Sequence, residues 1–206
     1  MDRLIGLLLA GGMSSRFGSD KSAYVPLAGT EDLLRKELAL LAQVPGIGLP
    51  AVSCRGDQAE AMQQRLPEGT ELVVDPPHEQ AFPIFGVLAA MRKWRQPMLV
   101  LSCDLPLMEP AVLNELCEAR SAALERCASL LRTAFCHADG RVETLVSIWE
   151  PGSLEYIEKT VQAGRLGLYS AIPLERQMLV PVRDSRLFFN MNTPEDALRL
   201  GALAGR

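Results

Sequence analysis

Short apolar segments recur along the chain, and each is bounded by glycine, proline or polar residues. The first, residues 4–10, is a continuous apolar run, which is typical of a strand buried on both faces of a parallel sheet. Later segments also have the length and composition of short strands. These predicted strands cover residues 49–53, 71–74, 98–102, 129–133 and 144–149.

Helical patterns fill the intervals between these segments. Leucine repeats at helical spacing in residues 33–43, and residues 58–65 are amphipathic. Residues 84–94 and 111–124 are long enough for crossover helices. The alternation predicts an α/β fold in which helices cover both faces of a mostly parallel sheet. Ligands bind such sheets beyond the carboxyl ends of the strands, so functional residues are expected directly after strands.

One more helix is predicted within residues 190–200. Thr193 can act as its N-cap, Pro194 suits the first helical position, and Asp196 completes a pattern that resembles a capping box. Helix initiation explains these three residues but not Asn190 and Asn192. The two asparagines can therefore reach a phosphate or an acceptor substrate.

Composition narrows the classes of protein to which the chain can belong. Its 206 residues, 48% hydrophobic and 22% charged, fit one globular domain rather than a disordered or fibrous chain. A net charge of −4 provides no global basic field, so nucleic acid is not expected as a partner. The apolar run at residues 4–10 is far shorter than the roughly 20 residues that span a bilayer. We therefore expect a cytoplasmic protein without a membrane partner.

Cysteine, histidine and serine positions argue against several chemistries. The five cysteines are scattered and form no C-x-x-C pair. His78 and His137 lack the spacing of metal ligands, and no serine lies in a G-x-S-x-G motif. Zinc, thiol redox and acyl-transfer chemistry are therefore disfavoured.

The segment after the first predicted strand has the composition of a phosphate-binding loop. Gly11 and Gly12 allow backbone N–H groups to approach a polyphosphate, and Arg16 and Lys21 supply positive charge. The Walker pattern is absent, because Asp20 rather than glycine precedes Lys21. A tight turn with solvated charges is the alternative interpretation.

Two carboxylates follow other predicted strands. Asp104 comes after residues 98–102, where a hard oxygen ligand suits Mg²⁺, although it can also cap a turn before Pro106. Asp75 comes after residues 71–74, and either ligand binding or turn formation accounts for it.

The chain resembles the molybdenum cofactor guanylyltransferases in three segments: LAGGMSSRFGSDK, the CDLP after a strand, and NMNTPEDAL. The resemblance covers most of the chain. It implies a single MobA-like NTP-transferase domain over residues 1–206, with a three-layer Rossmann-like nucleotidyltransferase fold. The implied reaction transfers GMP from GTP to molybdopterin and releases pyrophosphate. Mg²⁺ is the implied metal, with Mn²⁺ as an alternative, and molybdoenzyme chaperones or other cofactor-biosynthesis proteins are implied partners.

The resemblance also implies roles for individual residues. Asp104 would hold the metal, Arg16 and Lys21 would bind the phosphates, and Asn190 and Asn192 would lie towards molybdopterin. Ser53 stands in the region where the family often has an asparagine beside the nucleotide. The implied nucleotide-binding set is Leu9, Ala10, Gly11, Gly12, Lys21, Ser53, Asp75 and Asp104.

The chain departs from the family pattern in one loop beside the substrate. Phe82 and Phe85 stand where the family commonly has glycine and alanine, and a glycine in a tight backbone contact cannot be replaced neutrally by phenylalanine. Three alternatives therefore stay open: a cytidylyltransferase acting on the same acceptor, a sugar-phosphate nucleotidyltransferase, and a nucleotide-binding homologue without turnover.

Overall fold

The computed structural model describes residues 3–12, 21–25, 31–48, 50–78 and 80–204, with the side chains of Lys21 and residues 201–204 outside the description. Its strands form a seven-stranded sheet of order β3-β2-β1-β4-β6-β5-β7. The strands are β1 (Ile5–Leu9), β2 (Ala51–Cys54), β3 (Glu71–Val74), β4 (Met98–Ser102), β5 (Arg132–Cys136), β6 (Val142–Trp149) and β7 (Gln177–Pro181). Only β6 runs antiparallel to its neighbours, so the sheet is mostly parallel, as predicted.

Six α-helices occur in the described part of the chain, together with short 3₁₀ turns. They are α1 (Leu33–Ala42), α2 (Ala59–Arg65), α3 (Pro83–Trp94), α4 (Pro110–Arg126), α5 (Ser153–Gln162) and α6 (Pro194–Ala204). None of these helices has both the length and the apolar character that crossing a membrane requires.

Two hydrophobic clusters cover opposite faces of the sheet. Leu8 packs with residues of α1, α2 and α4, whereas Leu7 packs with residues of α3 and α5. Both leucines are fully buried, and burial of each stabilises the fold by roughly 1.5–3 kcal/mol. This two-sided burial explains the continuous apolar run in β1 and confirms the predicted arrangement of helices on both faces.

A smaller cluster ties the start of α1 to the C-terminal helix. Leu33 packs with Met191, Ala197 and Leu200, and all four side chains are buried. The predicted cap of α6 is confirmed, because the Asp196 N–H donates to Thr193 Oγ1 at 3.2 Å while Asp196 Oδ2 accepts from the Thr193 N–H at 3.0 Å. The cap fixes the position of the segment that carries Asn190 and Asn192.

The structure corrects one predicted strand and adds two elements. The strand predicted at residues 129–133 lies three residues later, because residues 127–130 form a turn in which the Leu130 N–H donates to the Cys127 carbonyl. Neither α5 nor β7 was predicted. Strand β7 lies in the half of the sheet that contains the antiparallel strand β6, and Ile157 of α5 packs in the same cluster as Trp149 of β6.

Candidate functional site

Segments that follow β1 to β4 meet at the carboxyl edge of the sheet. Leu9 is paired with Ser53 on one side and Ser102 on the other, and the Cys103 N–H donates to the Leu9 carbonyl at 3.1 Å. The Ala10 N–H donates to the Ser53 carbonyl at 2.9 Å. The start of the glycine loop therefore lies directly beside the segment that begins with Asp104.

Gly11 lies against the ends of β2 and β3. A Cβ atom at this position would lie 3.0 Å from Asp75 Oδ2 and 3.4 Å from the Arg55 nitrogen. A Cβ on Gly12, in contrast, would meet no atom of the described residues within 4 Å. A side chain at position 11 would thus push the loop away from Asp75, whereas the described residues leave space at position 12.

Two side chains that the sequence did not single out hold the carbonyls of this loop. Arg55 Nη1 donates to the Gly11 carbonyl at 3.2 Å, and Gln58 Nε2 donates to the Gly12 carbonyl at 3.5 Å. Arg55 is itself fixed by a bidentate ion pair with Asp57. The turn Gly56–Gln58 that follows β2 could have indicated these contacts, since a polar turn at the carboxyl edge faces the same loop.

The rest of the predicted phosphate loop is only partly described. Arg16 and Asp20 lie outside the described residues, as does the side chain of Lys21, which begins a 3₁₀ turn at Lys21–Ala23. Leu9 and Ala10 have buried side chains on opposite faces of the sheet. A ligand would therefore meet these two residues through their backbone.

Asp75 and Ser53 form a hydrogen-bonded pair beside Gly11. Ser53 Oγ donates to Asp75 Oδ1 at 2.5 Å. Burial raises the pKa of Asp75 to about 6, against the opposing effects of the Ser53 hydrogen bond and the charge of Arg55. Asp75 is therefore a partly desolvated carboxyl group with a shifted pKa. Such groups are typical of functional sites.

Helix α3 packs unusually close to Ser53. A Cβ atom on Gly86 would lie 2.3 Å from Ser53 Oγ and 2.9 Å from Leu9 Cδ2. The close approach of the FPIFG segment to Ser53 and Leu9 therefore depends on Gly86, the last residue of that segment. Phe82 precedes the helix with φ −117° and ψ 136°, an extended conformation open to any residue, so the backbone at this position does not require glycine.

Asp104 lies between the glycine loop and the C-terminal segment. The Met191 N–H donates to the Asp104 carbonyl at 2.9 Å, which brings the neighbouring Asn190 and Asn192 to the same edge. Asn190 is exposed and Asn192 is half-buried. The structure thus brings Gly11, Asp104 and the two asparagines to one edge of the sheet.

The donor set at this edge fits a hard divalent cation. Within the described residues, no group of three or more histidine, cysteine or acidic side chains could hold a metal unaided. Mg²⁺ commonly takes one or two protein carboxylates and completes its shell with phosphate oxygens and water. Asp104, at the edge beside the glycine loop, matches that requirement.

Glu37 is a second acidic group near Asp104 that the sequence did not single out. Its side chain is fully buried in α1, and neither carboxyl oxygen has a hydrogen-bond partner in the described chain. Burial raises the pKa of Glu37 to about 8, a net value that includes a lowering by the charge of Lys36 and a smaller rise from the charge of Asp104. Glu37 lies on the apolar face of α1, four positions after Leu33. A charged residue at an apolar position of the helix was the feature of the sequence that could have indicated a buried carboxyl.

A family model described as the MobA-like NTP transferase domain matches residues 6–175. This chain belongs to that family. The matched residues include β1 to β4 and all segments that form the carboxyl edge except the one at residues 189–192. As a MobA-like transferase, the chain is a nucleotidyltransferase by family.

Relatives extend the likeness beyond the matched domain. The molybdenum cofactor guanylyltransferase of Burkholderia vietnamiensis is 28% identical over 205 residues, covering 98% of this chain and 96% of the relative. The crystal structure of molybdopterin-guanine dinucleotide biosynthesis protein A from Archaeoglobus fulgidus has a TM-score of 0.77 at 23% identity, covering 98% of this chain and 99% of the other. A Mycobacterium tuberculosis protein crystallised with manganese has a TM-score of 0.61 at 18% identity, with 97% of both chains covered. The two structures support the nucleotidyltransferase fold of this MobA-like transferase.

Proposed function

We propose that this chain transfers GMP from GTP to molybdopterin, forming the guanine dinucleotide cofactor and releasing pyrophosphate. The observation that carries the proposal is the convergence of Gly11, Asp75 and Asp104 on one edge of the sheet. A relative of nearly the same length bears the name molybdenum cofactor guanylyltransferase, which supports this choice of substrates.

Gly11 and Gly12 would bind the triphosphate through backbone N–H groups, with Arg16 and Lys21 contributing charge. Each cation at about 4 Å from a phosphate contributes a few kcal/mol at an intermediate effective dielectric. Asp75, ionised above its pKa of about 6, would accept hydrogen bonds from the nucleoside. Asn190 and Asn192 would orient the acceptor from the other side of Asp104.

Asp104 would hold the divalent cation, Mg²⁺ in our proposal or Mn²⁺ in its place. When bound, such a cation neutralises phosphate charge and acts as a Lewis acid at the reacting phosphoryl group. The structural relative crystallised with manganese supports a divalent metal in this fold.

The reaction needs little acid–base chemistry from the protein. A terminal phosphate oxygen of molybdopterin attacks the α-phosphorus of GTP and forms the new P–O bond. The bond from the α-phosphorus to the bridging oxygen breaks, and pyrophosphate leaves with that electron pair. Positioning and charge neutralisation dominate such transfers, so Arg16, Lys21 and the carboxyl edge would be the decisive features.

Pyrophosphate release tests the proposal directly. The purified chain would be supplied with GTP, CTP or ATP, each with and without molybdopterin, in the presence of Mg²⁺. We expect release only with GTP and molybdopterin together. Release with CTP would instead establish a cytidylyltransferase, and GTP binding without release in any mixture would establish a homologue that does not turn over.

Protein partners and location follow from the same proposal. The product cofactor would pass to molybdoenzyme chaperones or other cofactor-biosynthesis proteins in the cytoplasm. Affinity capture from cells that synthesise the cofactor, with and without added GTP, would identify them.

A further inference from the structure

Three rings form a cluster beside the carboxyl edge. The ring centroids of His78 and Phe85 are 4.4 Å apart with an interplanar angle of 35°. Phe82 packs edge-on against both, at 6.2 Å from His78 and 6.5 Å from Phe85. Phe85 is buried in the core, whereas His78 is exposed. The buried ring of Phe85 and the half-buried ring of Phe82 therefore support the exposed ring of His78.

The exposed imidazole is held in place on two sides. The Gln80 N–H donates to His78 Nδ1 at 3.2 Å, so this ring nitrogen acts as an acceptor, and Phe85 lies against the ring. An exposed side chain with both restraints loses little further rotamer freedom when a ligand binds it. His78 is thus preorganised although it is accessible.

This ring cluster borders a pocket of about 530 Å³, which is within the range of small-molecule sites. His78 and Phe85 line the pocket together with the polar groups of Arg55, Asp57 and Asp75. A planar wall with polar groups around it suits a flat heteroaromatic ring that carries hydrogen-bonding groups at its edge.

Two residues that line the pocket also contact or approach Gly11 of the glycine loop. Arg55 lines it and also donates to the Gly11 carbonyl, and Asp75 Oδ2 lies 3.0 Å from the place of a Cβ on Gly11. A ligand whose phosphates lie on the loop would therefore extend its nucleoside into this pocket.

We propose that His78, supported by Phe85, is a nucleobase-binding residue whose imidazole stacks on the base of the bound nucleoside triphosphate. This inference rests on the proposed function for the identity of the base, guanine, but not for the stacking itself. Stacking of a base on an aromatic side chain contributes about 1–3 kcal/mol by alanine substitution.

Titration calorimetry on the full chain tests the inference with two probes, GTP and inorganic tripolyphosphate, the second of which lacks a base. We expect His78→Ala to weaken GTP binding about tenfold, since 1.4 kcal/mol corresponds to that factor, and to leave tripolyphosphate binding unchanged. His78→Phe restores the aromatic plane without the ring nitrogens and should recover most of the affinity.

Tyr169→Ala is the matched control, because Tyr169 is an exposed aromatic residue beside Arg132 at the opposite edge of the sheet. It should change neither affinity. Unchanged GTP affinity in His78→Ala, or an equal loss for tripolyphosphate, would overturn the stacking role. If the wild-type chain prefers CTP and His78→Ala weakens CTP binding, guanylyl transfer fails as the function while the stacking role stands.

Discussion

The two edges of the sheet differ in how well their buried charged groups are compensated by hydrogen bonds and ion pairs. At the amino edge, Arg120 and Glu150 are both buried and form a bidentate ion pair, with Arg120 Nε donating to Glu150 Oε1 at 2.5 Å. Arg132 is fully buried and donates to the carbonyls of Leu168 and Tyr169 and to Gln177. Each of these charged groups has partners that compensate for its removal from water.

At the carboxyl edge, the fully buried Glu37 and the half-buried Asp75 are less well compensated. Burial raises the pKa of Glu37 to about 8 and that of Asp75 to about 6. A fold optimised only for stability would give Glu37 a partner or replace it, as the other edge compensates its buried charges. The difference teaches that the amino edge stabilises the fold, whereas the carboxyl edge keeps carboxyls whose ionisation is costly unless a ligand compensates for it.

Removing one partner of the amino-edge ion pair should give the largest effect on stability. Glu150→Ala leaves Arg120 buried without its carboxylate, and we expect the free energy of unfolding to fall by about 3–5 kcal/mol. Urea unfolding measures this loss. Glu155→Ala, in an exposed pair with Lys159, should leave the free energy of unfolding nearly unchanged. Equal losses in both variants would contradict the contrast between the edges.

Asp104→Ala should affect turnover rather than stability. Loss of the carboxylate that holds the cation should lower the rate of pyrophosphate release about 10²–10³-fold, with the unfolding midpoint little changed. Asp139→Ala, which removes an exposed turn carboxylate, serves as the control and should retain the wild-type rate. Near-wild-type turnover by Asp104→Ala at modest Mg²⁺ would exclude Asp104 as the metal anchor.

Gly86→Ala probes the close packing behind the site. The new methyl group would lie 2.3 Å from Ser53 Oγ, so Ser53 must rotate away from Asp75 or α3 must shift. We expect a loss of about 1–3 kcal/mol in stability together with weaker GTP binding. Gly167→Ala is the control, since its Cβ would meet no described atom within 4 Å and the residue lies outside the pocket. Unchanged stability and unchanged GTP binding in Gly86→Ala would mean that the contact between Gly86 and Ser53 does not require a glycine.

Glu37→Gln should give a change in stability that depends on pH. A carboxyl whose native pKa is raised contributes stability that is present below about pH 4.5 and is lost as the pH rises through about 8. The amide stays neutral at every pH, so the free energy of unfolding of the variant should exceed that of the wild type at pH 9 and come close to it at pH 5. Unfolding curves at both values measure the difference, with exposed Glu118→Gln as the control. A difference independent of pH would refute the raised pKa.

The carboxyl edge was largely predictable from the sequence. Strands β1 and β4 are buried on both faces, so their apolar runs are unbroken, and Gly11 and Asp104 follow them directly. Parallel strands end at a common edge, which brings such residues together whatever the loops between them. Arg55 and Glu37 were missed because their importance depends on neighbours distant in sequence.

The antiparallel half was harder to predict. Strand β5 begins with the buried Arg132, whose charge interrupts the apolar pattern by which a strand is recognised. Strand β7 has only one buried residue among five, so its pattern is weak. Helix α5 was missed although Leu154, Ile157 and Val161 have helical spacing.

A crystal structure of the chain with GTP and Mg²⁺, in the absence of molybdopterin, tests the central claim most directly. Our account predicts the triphosphate on Gly11 and Gly12, the cation bound by Asp104, and the base in the pocket beside Asp75 and His78. A nucleotide bound instead at the amino edge, near Arg132 and Glu150, would contradict it.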